Sequence, residues 1–284
     1  MLSITDADGV AFSSVGEALD AVRQSQVTGA VVPIENSVEG GVSATLDKLV
    51  DGDPLMITGE VVIPVEFGLY VRPGTSLGDV ASVLTHGHAA AQCRDWLATM
   101  IPSAQVTEAG STAGAAKEVS DPASRYDAAI CARVAGQLYE LEELAYSIED
   151  NPGAVTRFVV ASRPGRLPER TGADKTTLVA YLHQDHPGAL LEILQQFAVR
   201  GVNLCRIESR PTKTLLGSYC FAIDAEGHLA DRRLTETLLG LHRICRDVIF
   251  LGSYPRADAQ PPDVRRGFDD ESFEEAQAWL ERLA

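Results

Sequence analysis

The sequence predicts an α/β fold with two lobes, followed by a smaller ferredoxin-like domain of βαββαβ order. Three observations support this prediction. Over residues 1 to about 160, short apolar runs alternate with segments of helical period, which is typical of βαβ units around mainly parallel sheets. A stretch rich in Pro, Gly and Arg then breaks the periodicity, as linkers do. Beyond it, the segments follow in the order strand, helix, strand, strand, helix, strand.

The chain therefore divides into four predicted parts. These are a two-lobed domain over residues 1–162, a linker over 163–175, a ferredoxin-like domain over 176–255, and a tail with an amphipathic helix over 256–284. We expect the run from Leu55 to Val71 to carry the chain into the second lobe and the stretch from Ile148 to Phe158 to return it. Two such crossings define a cleft between the lobes.

Each predicted strand is a short apolar run, and each predicted helix has apolar residues at helical spacing. The strands predicted in the two lobes are Ala30–Ile34, Met56–Val65, Gly68–Val71, Ser82–Thr85, Gln105–Glu108, Asp127–Cys131 and Arg157–Ala161. The helices predicted there are Ser14–Gln24, Val42–Leu49, His88–Met100, Ser111–Val119 and Arg133–Tyr139, with Ser14 and Ser111 as N-caps. The later elements are the strands Thr177–His183, Asn203–Ser209, Ser218–Asp224 and Asp247–Ser253, and the helices Gly188–Arg200, Asp231–Ile244 and Ser272–Leu283.

The composition indicates a globular protein with a strong negative charge. Of the 284 residues, 45% are apolar and 23% are charged, and 24 Lys and Arg against 40 Asp and Glu give a net charge of −16. A field of this sign repels nucleic-acid backbones and anionic membranes, so we expect neither as a partner. An anionic substrate must then be bound by a local arrangement of donors, and this requirement draws attention to Arg157.

The cysteines and the N-terminal segment bear on compartment and cofactors. The five cysteines are odd in number, and none forms a C-x-x-C pair, so the sequence predicts neither a disulfide framework nor a zinc site. Residues 1–25 have no basic start with an apolar core, and no run reaches the ~18 apolar residues of a membrane span. We therefore expect an unexported, cytoplasmic protein without a metal or cofactor.

Four polar clusters lie where a predicted strand begins or ends. They are Glu35-Asn36-Ser37, the segment from Thr85 to Gln92, Ser111-Thr112, and Thr156-Arg157-Phe158. Asn36 and Ser37 can donate hydrogen bonds to a carboxylate, and Glu35 can orient them or shuttle a proton. A helix start can bind an anion through its free N–H groups. A turn or a helix cap also explains each of the first three clusters when it is taken alone, and a solvated surface residue also explains the arginine of the fourth.

The second cluster contains two histidines, which are possible metal ligands. His86 and His88 are two residues apart, so we expect their side chains to point in different directions. With no carboxylate or thiol partner nearby in the sequence, they make a poor metal site. Thr85 and Gln92 are the better candidates for contacting a substrate.

Taken in order, and with Glu208-Ser209-Arg210-Pro211 downstream, the clusters resemble prephenate dehydratase. Three segments match that family's motifs without change, namely Ile34-Glu35-Asn36-Ser37, Thr156-Arg157-Phe158 and Glu208-Ser209-Arg210-Pro211. The family's Ser-His-Pro-Gln is replaced here by Thr85-His86-Gly87-His88, although the following Gln92-Cys93 pair is kept. The resemblance extends from about residue 10 to 255, and it implies a two-lobed catalytic domain like that of periplasmic binding proteins.

The resemblance implies an activity and a set of site residues. Prephenate would lose carbon dioxide and water to give phenylpyruvate for phenylalanine synthesis, without a cofactor. The implied catalytic residues are Thr156, Arg157, Phe158 and Glu35, and the implied substrate-binding residues are Asn36, Ser37, Thr85, Gln92, Ser111 and Thr112. We expect Thr156 to donate to the departing hydroxyl, with Glu35 or a histidine supplying the proton. Arg157 and Asn36 would hold the side-chain carboxylate, and Phe158 would pack the ring.

The ferredoxin-like domain resembles the ACT module, which binds amino acids between paired copies. The resemblance implies that L-phenylalanine is an effector and that the chain forms a homodimer or a homotetramer. The implied effector-site residues are Gly188, Ala189, Leu190, Glu208, Ser209, Arg210 and Pro211. Without a ligand, Pro187 would only begin the helix and Arg210 would pair with Glu208 on the surface.

Two alternatives and one departure from the family remain. Arogenate dehydratase differs only in its substrate, which carries an amino group in place of a keto oxygen. A non-catalytic amino-acid sensor is the other alternative. The family begins with a strand and a Gly-Pro-x-Gly-Thr-Phe loop, whereas only 33 residues precede Ile34 here. We expect that an opening βα unit is missing, either because the start codon is misassigned or, less in keeping with the intact later motifs, because this form is impaired.

Overall fold

The computed structural model describes residues 9–38, 40–212 and 219–283. The predictions made for residues 1–8, Glu39 and Ser218 lie outside the described residues. The chain forms two compact units, of which one is Ile63–Thr156 and the other combines Met1–Val62 with Arg157–Ala284. The chain passes between the units inside both of the stretches where we expected a crossing, at residues 62–63 and 156–157.

The elements agree with the sequence-based boundaries to within a few residues in most places. The strands are β1 (Gly29–Asn36), β2 (Gly40–Gly41), β3 (Met56–Pro64), β4 (Gly68–Val71), β5 (Ser82–Thr85), β6 (Gln105–Glu108), β7 (Ala128–Cys131), β8 (Glu142–Tyr146), β9 (Val155–Ser162), β10 (Asp174–Tyr181), β11 (Leu204–Pro211), β12 (Tyr219–Glu226) and β13 (Asp247–Pro255). The helices are α1 (Val15–Arg23), α2 (Ser43–Val50), α3 (Gly87–Gln92), α4 (Arg94–Met100), α5 (Thr112–Ser120), α6 (Arg133–Leu138), α7 (Ala189–Ala198), α8 (Arg232–Ile244) and α9 (Asp270–Glu281), with a 3₁₀ turn at Leu77–Asp79.

Strands β1, β2, β3 and β9 form one sheet in the order β2-β1-β9-β3, and with α1 and α2 they make up the first lobe. Helix α1 begins where it was predicted to, because the Ser14 hydroxyl accepts a hydrogen bond from the Glu17 N–H at 3.2 Å. Its buried residues, among them Leu19 and Val22, face the core beneath the sheet. Strand β9 lies between β1 and β3, so Arg157 is placed beside both of these strands.

Strands β10 to β13 form an antiparallel sheet in the order β11-β12-β10-β13. With α7 between β10 and β11 and α8 between β12 and β13, the chain order is βαββαβ. This is the ferredoxin-like arrangement, and the predicted fold class of two α/β lobes followed by such a domain is confirmed.

The ferredoxin-like sheet is buried on both of its faces. Leu178 and Ile223 pack in a core with residues of α7 and α8. Val179 and Ala222, which point to the opposite face, belong instead to a core shared with the first lobe. The first lobe and the ferredoxin-like domain therefore share a hydrophobic core, although the sequence placed a linker between them.

The second lobe is the sheet of β4 to β8 in the order β6-β5-β7-β4-β8, with helices α3 to α6. Strand β5 is parallel to β6 and β7, whereas β4 is antiparallel to β7 and β8. The second predicted N-cap is also confirmed, since the Ser111 hydroxyl accepts the Gly114 N–H at 2.9 Å. Polar residues that follow β5 and β6 thus lie at one edge of this sheet.

One prediction for the second lobe was wrong, and one strand of this lobe was missed. The helix expected over His88–Met100 is divided at Cys93 into α3 and α4. The carboxylate of Asp150 accepts the N–H groups of Asp95 at 3.2 Å and Trp96 at 3.4 Å, so it caps a new helix start. Strand β8 was not predicted, because its Glu142-Glu143 start is polar, as suits an edge strand.

Among the described residues, no helix is both long and apolar enough to span a bilayer.

Gly252 provides a test of the packing between β13 and the first lobe. Its φ is +137°, and a Cβ at this position would overlap the carbonyl oxygen of Ile57. We expect Gly252→Ala to lower the free energy of unfolding by at least ~2 kcal/mol, measured by urea denaturation, because backbone strain and overpacking both oppose it. Gly110 has no atom within 4 Å of a built Cβ, so Gly110→Ala is the control. Equal midpoints for the two variants would contradict the packing described.

Candidate active site

Arg157 binds carboxylates that come from three separate strands. Its Nε lies 3.1 Å from Glu35 Oε2, and its Nη1 lies 3.0 Å from Glu60 Oε2. Its Nη2 contacts the carboxylate of Asp224. Strands β1, β3 and β12 supply these three acids. The structure thus brings together Arg157 and Glu35, which belong to two different predicted clusters.

The surrounding side chains extend this network. The Nζ of Lys175 binds Glu60 Oε2 at 2.9 Å, and the N–H of Ala257 donates to Glu60 Oε1 at 3.0 Å. Arg206 Nε lies 2.9 Å from Asp224 Oδ2. We name Arg157, Glu35, Glu60, Asp224, Lys175 and Arg206 the Arg157 cluster.

The Arg157 cluster is charged although most of it is buried. Burial alone lowers the pKa of the Arg157 guanidinium, but attraction by charged neighbours, with Asp224 first among them, outweighs burial and raises the pKa overall. Burial alone raises the pKa of Asp224, and the attraction of Arg206 and Arg157 reverses this effect and lowers it. Arg157 and Asp224 are therefore both ionised near neutral pH.

Within strand β9, Arg157 points away from its two neighbours in the predicted motif. Arg157, Val159 and Ala161 are buried, whereas Thr156 and Phe158 are only partly buried. Successive side chains of a strand point to opposite faces, so Thr156 and Phe158 share the face opposite Arg157. The motif therefore divides into a hydroxyl and a ring on one face and a cation on the other. The roles expected for these residues stay predictions.

The Glu35-Asn36-Ser37 segment ends β1 and turns into the short strand β2. Glu35 pairs with Gly41 and Asn36 pairs with Gly40. The Asn36 Oδ1 accepts the N–H of Val38 at 2.8 Å, so this side chain stabilises the turn, as the simpler interpretation of the cluster required. Ser37 lies in the turn itself.

The other four predicted substrate-binding residues belong to the second lobe. The Thr85 side chain is buried at the end of β5, and its hydroxyl donates to the Ile130 carbonyl at 2.7 Å. Gln92 is the last residue of α3 and is also buried. Ser111 caps α5, and Thr112 is the first residue of that helix. Thr85 and Ser111 follow parallel neighbouring strands, and this places them at the same edge of the sheet.

The orientation expected for the two histidines was wrong. The rings of His86 and His88 stack with their centroids 5.0 Å apart. His86 is the extended N-cap of α3, and its Nδ1 accepts the His88 N–H at 3.3 Å, which folds one ring over the other. No group of three or more His, Cys, Asp or Glu side chains within residues 9–38, 40–212 and 219–283 is arranged to hold a metal ion.

The residues implied in effector binding fall into two places within the ferredoxin-like domain. Gly188 is the left-handed N-cap of α7, with φ of 96°. Ala189 beside it lines a cavity of about 340 Å³ with His186 and Ile193, whereas the Leu190 side chain is exposed.

Strand β11 carries the second set, on alternate faces. Glu208 and Arg210 are half-buried, whereas Ser209 and Pro211 are exposed. Arg210 binds Asp47 of α2 at 2.9 Å and also donates to the Ser43 hydroxyl at 2.6 Å. Its distance to Glu208 is 3.8 Å. The main partners of Arg210 are thus in the first lobe.

The site residues predicted from the sequence did not include Glu60, Lys175, Arg206 or Asp224. A signal was present, because Asp224 follows Cys220-Phe221-Ala222-Ile223 and Glu60 follows Met56-Ile57 in otherwise apolar strands. A charged residue in a buried strand requires a partner of opposite charge. The identity of that partner depends on strand order, which the sequence did not provide.

Comparison with known proteins agrees with this fold. A family described as prephenate dehydratase matches residues 1–166. A prephenate dehydratase of Mycolicibacterium vanbaalenii is 46% identical over 277 residues, which cover 96% of this chain and 85% of the relative. The crystal structure of a prephenate dehydratase from Arthrobacter aurescens in complex with L-Phe is 51% identical, with a TM-score of 0.93 over 100% of this chain and 93% of that one. A protein described as a novel type of quorum-quenching acylase is 32% identical, with a TM-score of 0.76 over 86% of this chain and 87% of that one.

The structure has two α/β lobes and a ferredoxin-like domain, and the matches to prephenate dehydratases make this protein an enzyme of the lyase class. The chain belongs to the prephenate dehydratase family.

Removal of the Arg157 charge provides a test of the cluster. Arg157→Met would leave three carboxylates without their shared cation, so we expect the free energy of unfolding to fall by about 3 kcal/mol or more in urea. Arg166 pairs with Glu169 while its side chain is 86% exposed, and Arg166→Met is therefore the matched control. The control should keep the wild-type midpoint. Equal stability of both variants would show that the cluster contributes nothing to folding.

Proposed function

We propose that this chain converts prephenate to phenylpyruvate, with Thr156, Arg157, Phe158 and Glu35 as its catalytic residues. The observation that carries the proposal is the ion pair of 3.1 Å between Arg157 and Glu35. It joins two of the three family motifs that match without change, on neighbouring strands of one lobe. Family membership supports prephenate rather than arogenate as the substrate.

The reaction demands little covalent chemistry from the protein. The bond from the ring to its carboxylate breaks, the electron pair moves through the diene, and the C–O bond opposite breaks as the hydroxyl leaves as water. Because the ring becomes aromatic, the substrate supplies the driving force, and the enzyme has to orient it and assist the leaving group.

We assign Thr156 to the departing hydroxyl and Phe158 to the ring, because both lie on one face of β9. A threonine is a feeble acid, so Thr156 donates a hydrogen bond while Glu35 or a histidine supplies the proton. Arg157 binds Glu35 at 3.1 Å, and Arg157 and Asn36 are assigned to the side-chain carboxylate of the substrate. The remaining donors are assigned to Ser37, Thr85, Gln92, Ser111 and Thr112.

The ferredoxin-like domain is proposed to bind L-phenylalanine. The relative from Arthrobacter aurescens was solved with L-Phe and shares 51% identity with this chain. The cavity of about 340 Å³ at the start of α7 is of a size for an amino acid, and Ala189, which follows the glycine N-cap Gly188, lines it. The other proposed effector residues are Ala189, Leu190, Glu208, Ser209, Arg210 and Pro211.

A homo-oligomer and a cytoplasmic location complete the proposal. Strand β11 is at the edge of its sheet, and its Ile207 side chain is 43% exposed. An edge strand of this kind can pair with a second copy, so a homodimer or homotetramer is proposed. The cytoplasmic location rests on five cysteines whose spacing predicts no disulfide framework.

The hydroxyl of Thr156 provides the test of the catalytic assignment. We expect Thr156→Ala to lower kcat by at least ~10²-fold in an assay of phenylpyruvate formation from prephenate, because the leaving hydroxyl loses its donor. Thr156→Ser keeps a hydroxyl and is the matched control, with most of the rate retained. A Thr156→Ala enzyme with nearly full turnover would refute the assignment.

L-Phenylalanine should lower the rate of the same assay and should release or absorb heat on binding in calorimetry. The physical reason is that a site which contacts the amino, carboxylate and side-chain groups of one enantiomer cannot contact all three groups of the other in the same way. D-Phenylalanine at equal concentration is therefore the control ligand. If the two enantiomers act alike, or if neither binds, the regulatory part of the proposal fails.

A further inference from the structure

Asp224 is a carboxylate of the ferredoxin-like domain that reaches the first lobe. It lies on β12 with an exposed fraction of 0%. Its neighbours Ile223 and Ala225 point into the core beneath α7 and α8. Asp224 therefore points to the opposite face, toward the first lobe.

The oxygens of Asp224 are saturated with donors. Oδ1 accepts the Thr177 hydroxyl at 2.7 Å, and Oδ2 accepts Arg206 Nε at 2.9 Å together with Arg157 Nη2. A buried carboxylate with this many donors has a fixed position. The guanidinium that it binds is therefore fixed as well.

No other acid of the cluster can take over this contact. Glu60 is already shared by Arg157, Lys175 and the N–H of Ala257. Among the described residues, Asp224 is the only carboxylate that contacts Arg157 Nη2. If it were removed, the guanidinium would turn toward the third acid, Glu35, whose side chain is 36% exposed and the least confined of the three.

We propose that Asp224 is a positioning residue of the dehydratase site, which holds the Arg157 guanidinium in the place where it orients Glu35. The inference rests on the proposed roles of Arg157 and Glu35. The ferredoxin-like domain then supplies a necessary part of the site in addition to any effector pocket. Asp224 acts through Arg157 and does not itself touch the substrate.

The test is a double-mutant cycle in the full chain. Asp224→Asn preserves the shape and one acceptor oxygen but removes the charge, and Arg157→Lys keeps a charge without the planar fork. We expect Asp224→Asn to lower kcat/KM on the order of 10-fold to 100-fold, as misplacement of a reacting group does. In the Arg157→Lys background, the same change should alter kcat/KM by no more than about twofold, because its effect passes through Arg157.

A matched control separates positioning from loss of a buried acid. Asp174 lies in the same sheet with 1% exposure, and its carboxylate accepts the Thr171 and Gly172 N–H groups at 2.8 and 2.9 Å. We expect Asp174→Asn to leave kcat/KM within about twofold at a temperature where it is folded, because its carboxylate binds Thr171 and Gly172, whereas the adjacent Lys175 reaches the cluster through its own side chain. If Asp174→Asn lowers kcat/KM as much as Asp224→Asn does, the loss reflects only the removal of a buried acid, and Asp224 has a structural role alone.

The remaining outcomes of the double-mutant cycle also support or overturn the inference. If the losses of kcat/KM in the two single variants multiply in the double variant, the inference is overturned. It is also overturned if Asp224→Asn has the kcat/KM of the wild type while Arg157→Lys is impaired. Full activity in Arg157→Lys would overturn the proposed roles together with the inference. If Asp224→Asn does not fold, Thr177→Val removes the hydrogen bond to Oδ1 without changing the charge. It should lower kcat/KM less strongly and only when Arg157 is intact, and unchanged kinetics would reject the inference.

Discussion

The guanidinium of Arg157 is the interaction on which the first lobe and the ferredoxin-like domain jointly depend. It draws acids from positions 35, 60 and 224 of the chain to within contact of one side chain. A buried charge is costly unless it is paired in good geometry, so these strands can meet in few arrangements. The Arg157 cluster contains three cations and three acids, and Arg206 also binds a fourth acid, Glu208, at 3.0 Å. Each buried charge of the cluster therefore has a partner of opposite sign, which allows the cluster to persist in a protein whose net charge is −16.

The two-faced burial of the ferredoxin-like sheet explains how the cluster is built. Alternate side chains of β10 and β12 pack beneath α7 and α8 or against the first lobe. The face toward the lobe carries Thr177 and Asp224 among its apolar residues, and these polar side chains bind each other. Hydrophobic contact thus joins the two parts, and the ionic contacts fix their register. The domain boundary drawn from the linker composition separates two regions that share one core.

Much of the fold could be predicted from the sequence because the elements follow strong local patterns. The bounds of β4, β5 and β6 were predicted without error, and Ser14 and Ser111 were correctly predicted as the N-caps of their helices. Strand β8 escaped prediction because its first residues are polar, and the division at Cys93 depends on Asp150, some 55 residues away in the chain. Interactions between residues that are far apart in the chain produce no periodic pattern in the sequence, so features that depend on them could not be predicted.

The candidate site shows the same limit more sharply. The motifs around Glu35 and Arg157 could be recognised, and their proximity in space agrees with a shared role. The two acids that bind Arg157 from β3 and β12 could not be predicted. A single Glu or Asp in an apolar strand indicates that a partner of opposite charge is needed, but the sequence does not show which residue that partner is. Strand alternation also divides Thr156-Arg157-Phe158 between two faces, which a linear motif does not reveal.

The approach of Glu208 to Gly41 links the first lobe and the ferredoxin-like domain at a second point. A Cβ at position 41 would overlap the Glu208 carboxylate, which is the flexible end of a side chain bound to Arg206 at 3.0 Å. A larger residue at position 41 would therefore turn Glu208 away from Arg206. Exchange of this βαββαβ module for another would have to preserve both this acid and the carboxylate that binds Arg157.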